Sequence, residues 1–152
     1  MKVKCVQPYP TPEQIERLGD FHKKQAFGVT VGNVYLVLAL EFHIKLPGFG
    51  TGVMIQFLDD DGHIGFAPLF LFEIVDGRPS KHWECRFREN GSLTLQPPSF
   101  YREYYHDDLS EDVPEVVEDF KRVRALLESE SEKPKEGPTI LSISSLRRNK
   151  KD

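Results

Sequence analysis

Cysteine is scarce in this chain: its 152 residues hold two, Cys5 and Cys85, eighty positions apart. Two such thiols frame no disulfide scaffold and suit a reducing compartment. Long apolar runs are missing as well. The longest, Val34-Tyr35-Leu36-Val37-Leu38-Ala39-Leu40, falls far short of the ~20 apolar residues that span a bilayer. The start, Met1-Lys2-Val3-Lys4-Cys5-Val6, is charged and carries no apolar signal segment, so a cytoplasmic protein without membrane contact is expected. Positive charge is not in excess either. Lys and Arg number 20 against 24 Asp and Glu, a formal charge of -4, which argues against non-specific nucleic-acid binding. There is no internal repeat, and no Ser or Cys stands in a recognisable nucleophile motif. The expectation is a protein with no catalytic residues, no metal and no cofactor.

What the chain does have is core volume and turns. It is 39% hydrophobic, with eleven Phe and five Tyr, enough for one ordinary domain. Val3 to Val6 predicts a short strand. Thr11 and Pro12 predict a helix start, with Glu13 and Gln14 favouring the positive end of its dipole and Gly19 ending it. Residues 35–42 are continuously apolar enough for a strand buried on both faces. A strand at 53–58 leads into Asp61-Gly62, and 83–88 leads into Asn90-Gly91. Both dipeptides favour hairpins because glycine accepts the positive φ of the turn. The alternation in 83–88 predicts a half-buried strand, with Cys85 buried beside Trp83. Residues 100–108 read as a short helix or an irregular wrap. The clearest helix spans 113–127, where Val113, Val116, Val117, Phe120, Val123, Leu126 and Leu127 recur every three or four residues. After Glu128 the chain turns polar, which predicts a flexible tail over 129–152. Within that tail, Thr139 to Ile143 reads as a docking strand and Arg147 to Lys151 as a solvated basic end.

Short strands joined by tight turns predict an α+β fold over residues 1–128: a small SH3-like β-barrel or curled antiparallel sheet with a packed C-terminal helix. The runs Val31-Gly32-Asn33-Val34-Tyr35-Leu36-Val37-Leu38, Phe57-Leu58-Asp59-Asp60-Asp61-Gly62 and Pro68-Leu69-Phe70-Leu71-Phe72-Glu73-Ile74-Val75 resemble a pattern in small bacterial proteins with SH3-like barrels. Trp83, the run from Leu95 to Phe100 and the acidic Tyr104-Tyr105-His106-Asp107-Asp108 are similar to such proteins too, some of which resemble immunity proteins of bacterial toxin systems. The resemblance covers roughly residues 29 to 127 and implies fold more than activity.

Four constellations carry chemistry on paper. Asp59-Asp60-Asp61-Gly62-His63 has carboxylates for a hard cation, but lacks the spacing of a calcium loop and suits a plain hairpin turn better. His82 and Cys85, three apart in a strand, point to opposite faces and make a poor zinc pair. His106 beside Asp107 and Asp108 forms the alternative reading, a small-ligand or hydrolytic site. The leading reading uses the same segment as a partner-binding surface. From Glu103 to Asp119 no Lys or Arg interrupts the acids. Tyr101, Tyr104, Tyr105, Asp107, Asp108, Glu111 and Asp112 are the expected contact residues, because acidic charge steers a basic partner and tyrosines anchor interfaces. The expected partner is another protein, a toxin with a basic surface in the immunity-protein version.

Overall fold

The computed structural model describes residues 1–18, 26–46 and 50–134. In chain order it contains β1 (Lys2–Cys5), α1 (Pro12–Leu18), β2 (Val34–Leu46), β3 (Gly50–Leu58), β4 (Ile64–Pro68), a 3-10 turn (Leu69–Leu71) and β5 (Phe72–Asp76). Then come β6 (Glu84–Phe87), β7 (Leu93–Gln96), a second 3-10 turn (Pro98–Tyr101), α2 (Tyr105–Ser110) and α3 (Pro114–Glu132). The fold is α+β. Seven strands form one sheet in the order β4-β3-β2-β1-β5, with β7 joined to β2 and β6 joined to β7. Every pairing is antiparallel. The sheet is open: among the described residues no pairing joins β4 to β5.

Local chemistry sets many of these bounds. Thr11 Oγ1 accepts from the Gln14 amide while Gln14 Oε1 accepts from the Thr11 amide, a reciprocal cap for α1. Gly19, the expected stop, lies outside the described residues. Gly62 and Gly91 sit at φ +83° and +82°, the left-handed region that both hairpins need.

β2 organises the sheet. Its first residues pair with β1, and residues Leu40 to Phe42 pair with β7. Its other edge follows β3 from Val37 to Leu46. The β3 register jumps between Val37, opposite Phe57, and Ala39, opposite Gln56, so Leu38 is the extra residue of a β-bulge. The bulge turns the strand over. Before it, Tyr35 and Val37 face the inner core; after it, Leu40 does so, with Phe42 packed alongside. Leu38 itself joins a second core beneath the helices, with Phe100, Tyr105, Val116, Val123 and Leu127. Both faces of the strand are therefore buried from Val37 to Leu40, as the apolar run predicts, whereas Val34 at its start is exposed.

The inner core centres on three rings in edge contact. Phe57 lies 5.4 Å from Tyr35 and 5.6 Å from Phe72. The Tyr35 hydroxyl donates to Asp60 Oδ1 at 2.7 Å and accepts from the Thr30 amide at 2.8 Å, so its burial leaves no orphan.

Three expectations need correction. The strand at 83–88 is not half-buried: β6 is exposed throughout, Phe87 is 69% exposed, and Cys85 faces solvent. It is an edge strand bound only to β7, so its alternation meets no covering layer. Leu126 is exposed although it falls within the apolar stripe of α3. The helix itself runs to Glu132, past the expected boundary at 128. Its last turn is tied down because Glu130 accepts from Ser80 Oγ and the Lys81 amide, while Arg78 donates to the Lys133 carbonyl. The expected docking strand and basic end, 139–143 and 147–151, lie outside the described residues. No helix among the described residues is long and apolar enough to cross a membrane.

Phe57 has no solvent exposure and touches both flanking rings. Phe57→Ala is expected to lower unfolding free energy by roughly 3–5 kcal/mol, the usual range for emptying such a site, measured by urea denaturation.

Candidate binding groove

The second half of the chain folds over the outer face of the sheet. Pro97 and Pro98 stop β7, and the chain continues as the second 3-10 turn, then α2 and α3. Tyr104 makes the entry to α2 with φ +60°, a left-handed backbone that bulky residues adopt only under constraint. Its ring is 66% exposed.

Between this wrap and β4 runs a groove. One part, of 520 Å³, is lined by Ile64, Phe66, His106, Leu109, Val117 and Phe120 among others. It opens beside a second depression of 560 Å³ whose walls include Phe66, Phe100, Tyr104 and His106. Gln56 and Gln96 also line it, and strand register sets where they stand. Phe66 of β4 lies opposite Gln56 of β3, and Gln56 lies opposite Ala39 of β2. The β2–β7 register carried one residue further sets Gln96 beside Ala39. Two carboxamides thus flank one small residue. Gln56 is 2% exposed and Gln96 4%.

The Gln56 Nε2 lies 2.6 Å from His106 Nε2, so the amide donates to a neutral ring. Burial pushes the His106 pKa below its ordinary value of 6.5; Asp107 opposes this and Arg88 reinforces it. Gln56 Oε1 and Gln96 Nε2 are buried without a protein partner. Each such orphan costs about 1–3 kcal/mol, and both atoms are closed off from solvent.

The expected contact residues are only partly brought together. Tyr104, Asp107, Glu111 and Asp112 are exposed around the α2–α3 corner. Asp108 is held by Arg102. Tyr101 is turned back on the sheet: its hydroxyl lies within hydrogen-bond distance of the Glu84 and Thr94 carbonyls, and Arg86 covers its ring at 4.1 Å. Tyr105 corrects the expectation outright. It is 2% exposed and donates to Asp119 at 2.9 Å, because α2 turns that ring into the helix core while Tyr104 points away. Burial, then the Asp119 carboxylate, push its phenol well above the ordinary range. The acidic stretch is also less uniform than its sequence. Glu118 pairs with Lys121 and Asp119 with Arg122. Glu103, Asp107, Glu111, Asp112 and Glu115 make no ion pair among the described residues.

For the alternative acid–base reading, His106 and Asp107 line the same pit, whereas Asp108 does not. The Asp59 turn is structural in its contacts. Asp59 Oδ1 accepts from the amides of Asp61 and His63, and Asp60 accepts from Thr30, Asn33 and Tyr35. Asp59, Asp61 and His63 do gather within 4.8 Å, but two of the three are exposed and the turn already uses Asp59. His82 and Cys85 form no ligand cluster among the described residues. A larger cleft, 730 Å³, lies between β2 and the end of α3; its Arg124 and Glu128 pair with each other.

Sequence reasoning missed Phe66, Gln56 and Gln96. Gln56 stands between Ile55 and Phe57, and that alternation alone reads as a solvent-facing polar residue. Only the later wrap covers it.

Comparison of the chain with models of known families, with curated proteins and with solved structures found no match.

Two outcomes test this geometry. Tyr105→Phe is expected to destabilise the fold by about 1.5–3 kcal/mol, the range for a hydrogen bond to a charged group, read by thermal or urea unfolding. The His106 ring is expected to titrate below pH 6.5 by NMR. The unfolded chain then binds this proton more readily than the folded one. The histidine's contribution to stability is therefore full above about pH 6.5 and is lost progressively as pH falls from there through the lower pKa of the folded state.

Proposed function

We propose that the chain is a non-enzymatic protein-binding module and that the groove between β4 and the α2–α3 corner is its docking surface. The observation that carries this is the adjacency of an apolar strip to unpaired acids. Phe66, 44% exposed, stands at the open edge of β4, and Leu109, Val117 and Phe120 extend the strip toward the helices. Asp112 lines the strip and Asp107 the neighbouring depression, and Glu111 and Glu115 are exposed on the same segment of chain. An apolar centre with a charged rim is the anatomy of a protein interface, and the sign of the rim selects a basic partner. Residues 29 to 127 resemble small bacterial proteins, some of which resemble immunity proteins, and a bacterial toxin is therefore the partner we favour. Occlusion of a basic toxin cleft would be steric and electrostatic, with no cofactor. The negative rim equally speaks against a nucleic-acid partner.

The finer fold reading, an SH3-like barrel left partly open, belongs to the same proposal. It is supported by the meander β1-β2-β3-β4, by the return of β5 to β1, by the 3-10 turn between β4 and β5, and by one long strand shared between two halves of the sheet.

The test is co-expression with toxin domains encoded beside the chain's gene, followed by binding to the toxin it neutralises. Asp107→Lys with Glu111→Lys and Asp112→Asn is expected to abolish protection. It should weaken binding at least about tenfold at low salt, with the difference shrinking as salt rises. Protection that survives these changes would remove the acidic rim from the account.

A further inference from the structure

Strand β6 leaves one edge of the sheet open. Among the described residues it pairs with β7 alone, and all four of its residues are exposed. Such an edge invites pairing with another chain unless charge or a bend blocks it. The phase of this edge follows from its hairpin. The Arg88 amide donates to the Ser92 carbonyl at 2.8 Å, and hydrogen-bonded pairs recur every second residue along an antiparallel ladder. Arg86 and Glu84 therefore turn their backbone groups toward β7, while Cys85 and Phe87 present theirs to the open side. Side chains alternate as well. Glu84 and Arg86 stand on one face, 2.9 Å apart, with the Arg86 guanidinium 4.1 Å from the centre of the Tyr101 ring. Cys85 and Phe87 stand on the other face; Phe87 is exposed and the Cys85 thiol is free.

We propose that β6 is a self-association edge, which pairs antiparallel with β6 of a second copy of this chain about a two-fold axis at Cys85. Charge complementarity selects this occupant and this register. Glu84 falls opposite Arg86 of the second copy, and symmetry repeats the pair on the other side of the axis. The two Cys85 residues exchange both backbone hydrogen bonds on the axis. Phe87 falls opposite Trp83 of the second copy. Trp83 is itself only partly buried, so an exposed ring gains an aromatic neighbour. The adjacent registers that keep the same hydrogen-bonding phase set Arg86 against Arg86 or Glu84 against Glu84 on the axis. Like charges directly opposite repel, and Arg88, the next base along, is engaged by Thr94 Oγ1 at 3.0 Å. One register is thus selected over its neighbours. The other open edges lack this self-complementarity: β5 offers the two acids Glu73 and Asp76, and β4 has no charged residue. No residue from 83 to 87 lines the docking groove, so the proposal does not rest on the protein-binding reading.

The experiment is sedimentation equilibrium of the full chain under reducing conditions, from about 10 μM to about 1 mM, the range of weak specific association. The mass is expected to rise from that of one 17.5 kDa chain toward twice that value. Glu84→Arg and Arg86→Glu each set like charges across the axis twice, and each alone is expected to weaken the dimer at least about tenfold. Mixed one to one, the two variants re-form both opposite-charge pairs between unlike copies and are expected to associate about as tightly as the parent chain. After removal of the reductant, a short bismaleimide, each of whose rings adds one thiol across its double bond, is expected to join two copies at Cys85. Cys5 is buried, and peptide mass spectrometry identifies the linked thiols. The proposal is overturned if the chain remains a monomer at about 1 mM, a threshold weaker than a specific dimer needs. It is equally overturned by a dimer that either single variant leaves intact, by a mixture no tighter than the single variants, or by a dimer that is not bridged at Cys85.

Discussion

Burial of β2 on both faces is the constraint from which the rest of the structure follows. A strand covered on one side alternates its side chains and leaves the other side wet. This one cannot, because its run from Val34 to Leu40 is apolar at every position. The bulge at Leu38 resolves the problem by giving each face a partner: Val37 and Leu40 enter the inner core, and Leu38 enters the helix core. A covering layer is then obligatory, and α2 and α3 supply it.

That layer creates the candidate site. Residues on the outer face of β3 and β7 would be ordinary surface polar groups on a bare sheet. Once the chain from Pro97 onward folds back, Gln56 and Gln96 lose water, and His106 gives Gln56 one bond in return. The apolar strip, the acidic rim and the polar pit therefore have one origin. They lie along the seam where the helical layer meets the open edge of the sheet, which α2 and α3 approach without closing. The same seam would disappear in a closed barrel, since β4 would have no free edge to present Phe66.

How far the sequence led can be judged residue by residue. Turns at Gly62 and Gly91 were legible because their chemistry is local: a positive φ needs glycine. The capping of α1 by Thr11 and Gln14 was legible at its threonine for the same reason, and the stripe Val116, Val123, Leu127 announced α3. What failed was non-local. Cys85 alternates with its neighbours, yet lies on an edge strand that nothing covers. Tyr105 and Tyr104 are chemically alike and adjacent, yet one is core and the other surface, because a left-handed residue sets the phase of α2. Helix α3 outlasts its apolar stripe because Arg78 and Ser80 hold its end, and these residues are about fifty positions away in the chain. The pairing of β7 with β2, which sets Gln96 beside Ala39, carries no sequence signal of its own.

If β2 holds both layers together, neither can open while the other stays folded. Native-state hydrogen exchange on the amides of residues 37 to 42 tests this most directly. The account predicts that these amides exchange only through global unfolding, with the same opening free energy as the buried amides of α3 at Val123 and Leu127. Exchange of the α3 amides at markedly lower free energy than those of β2 would show a helix layer that detaches alone, and would contradict it.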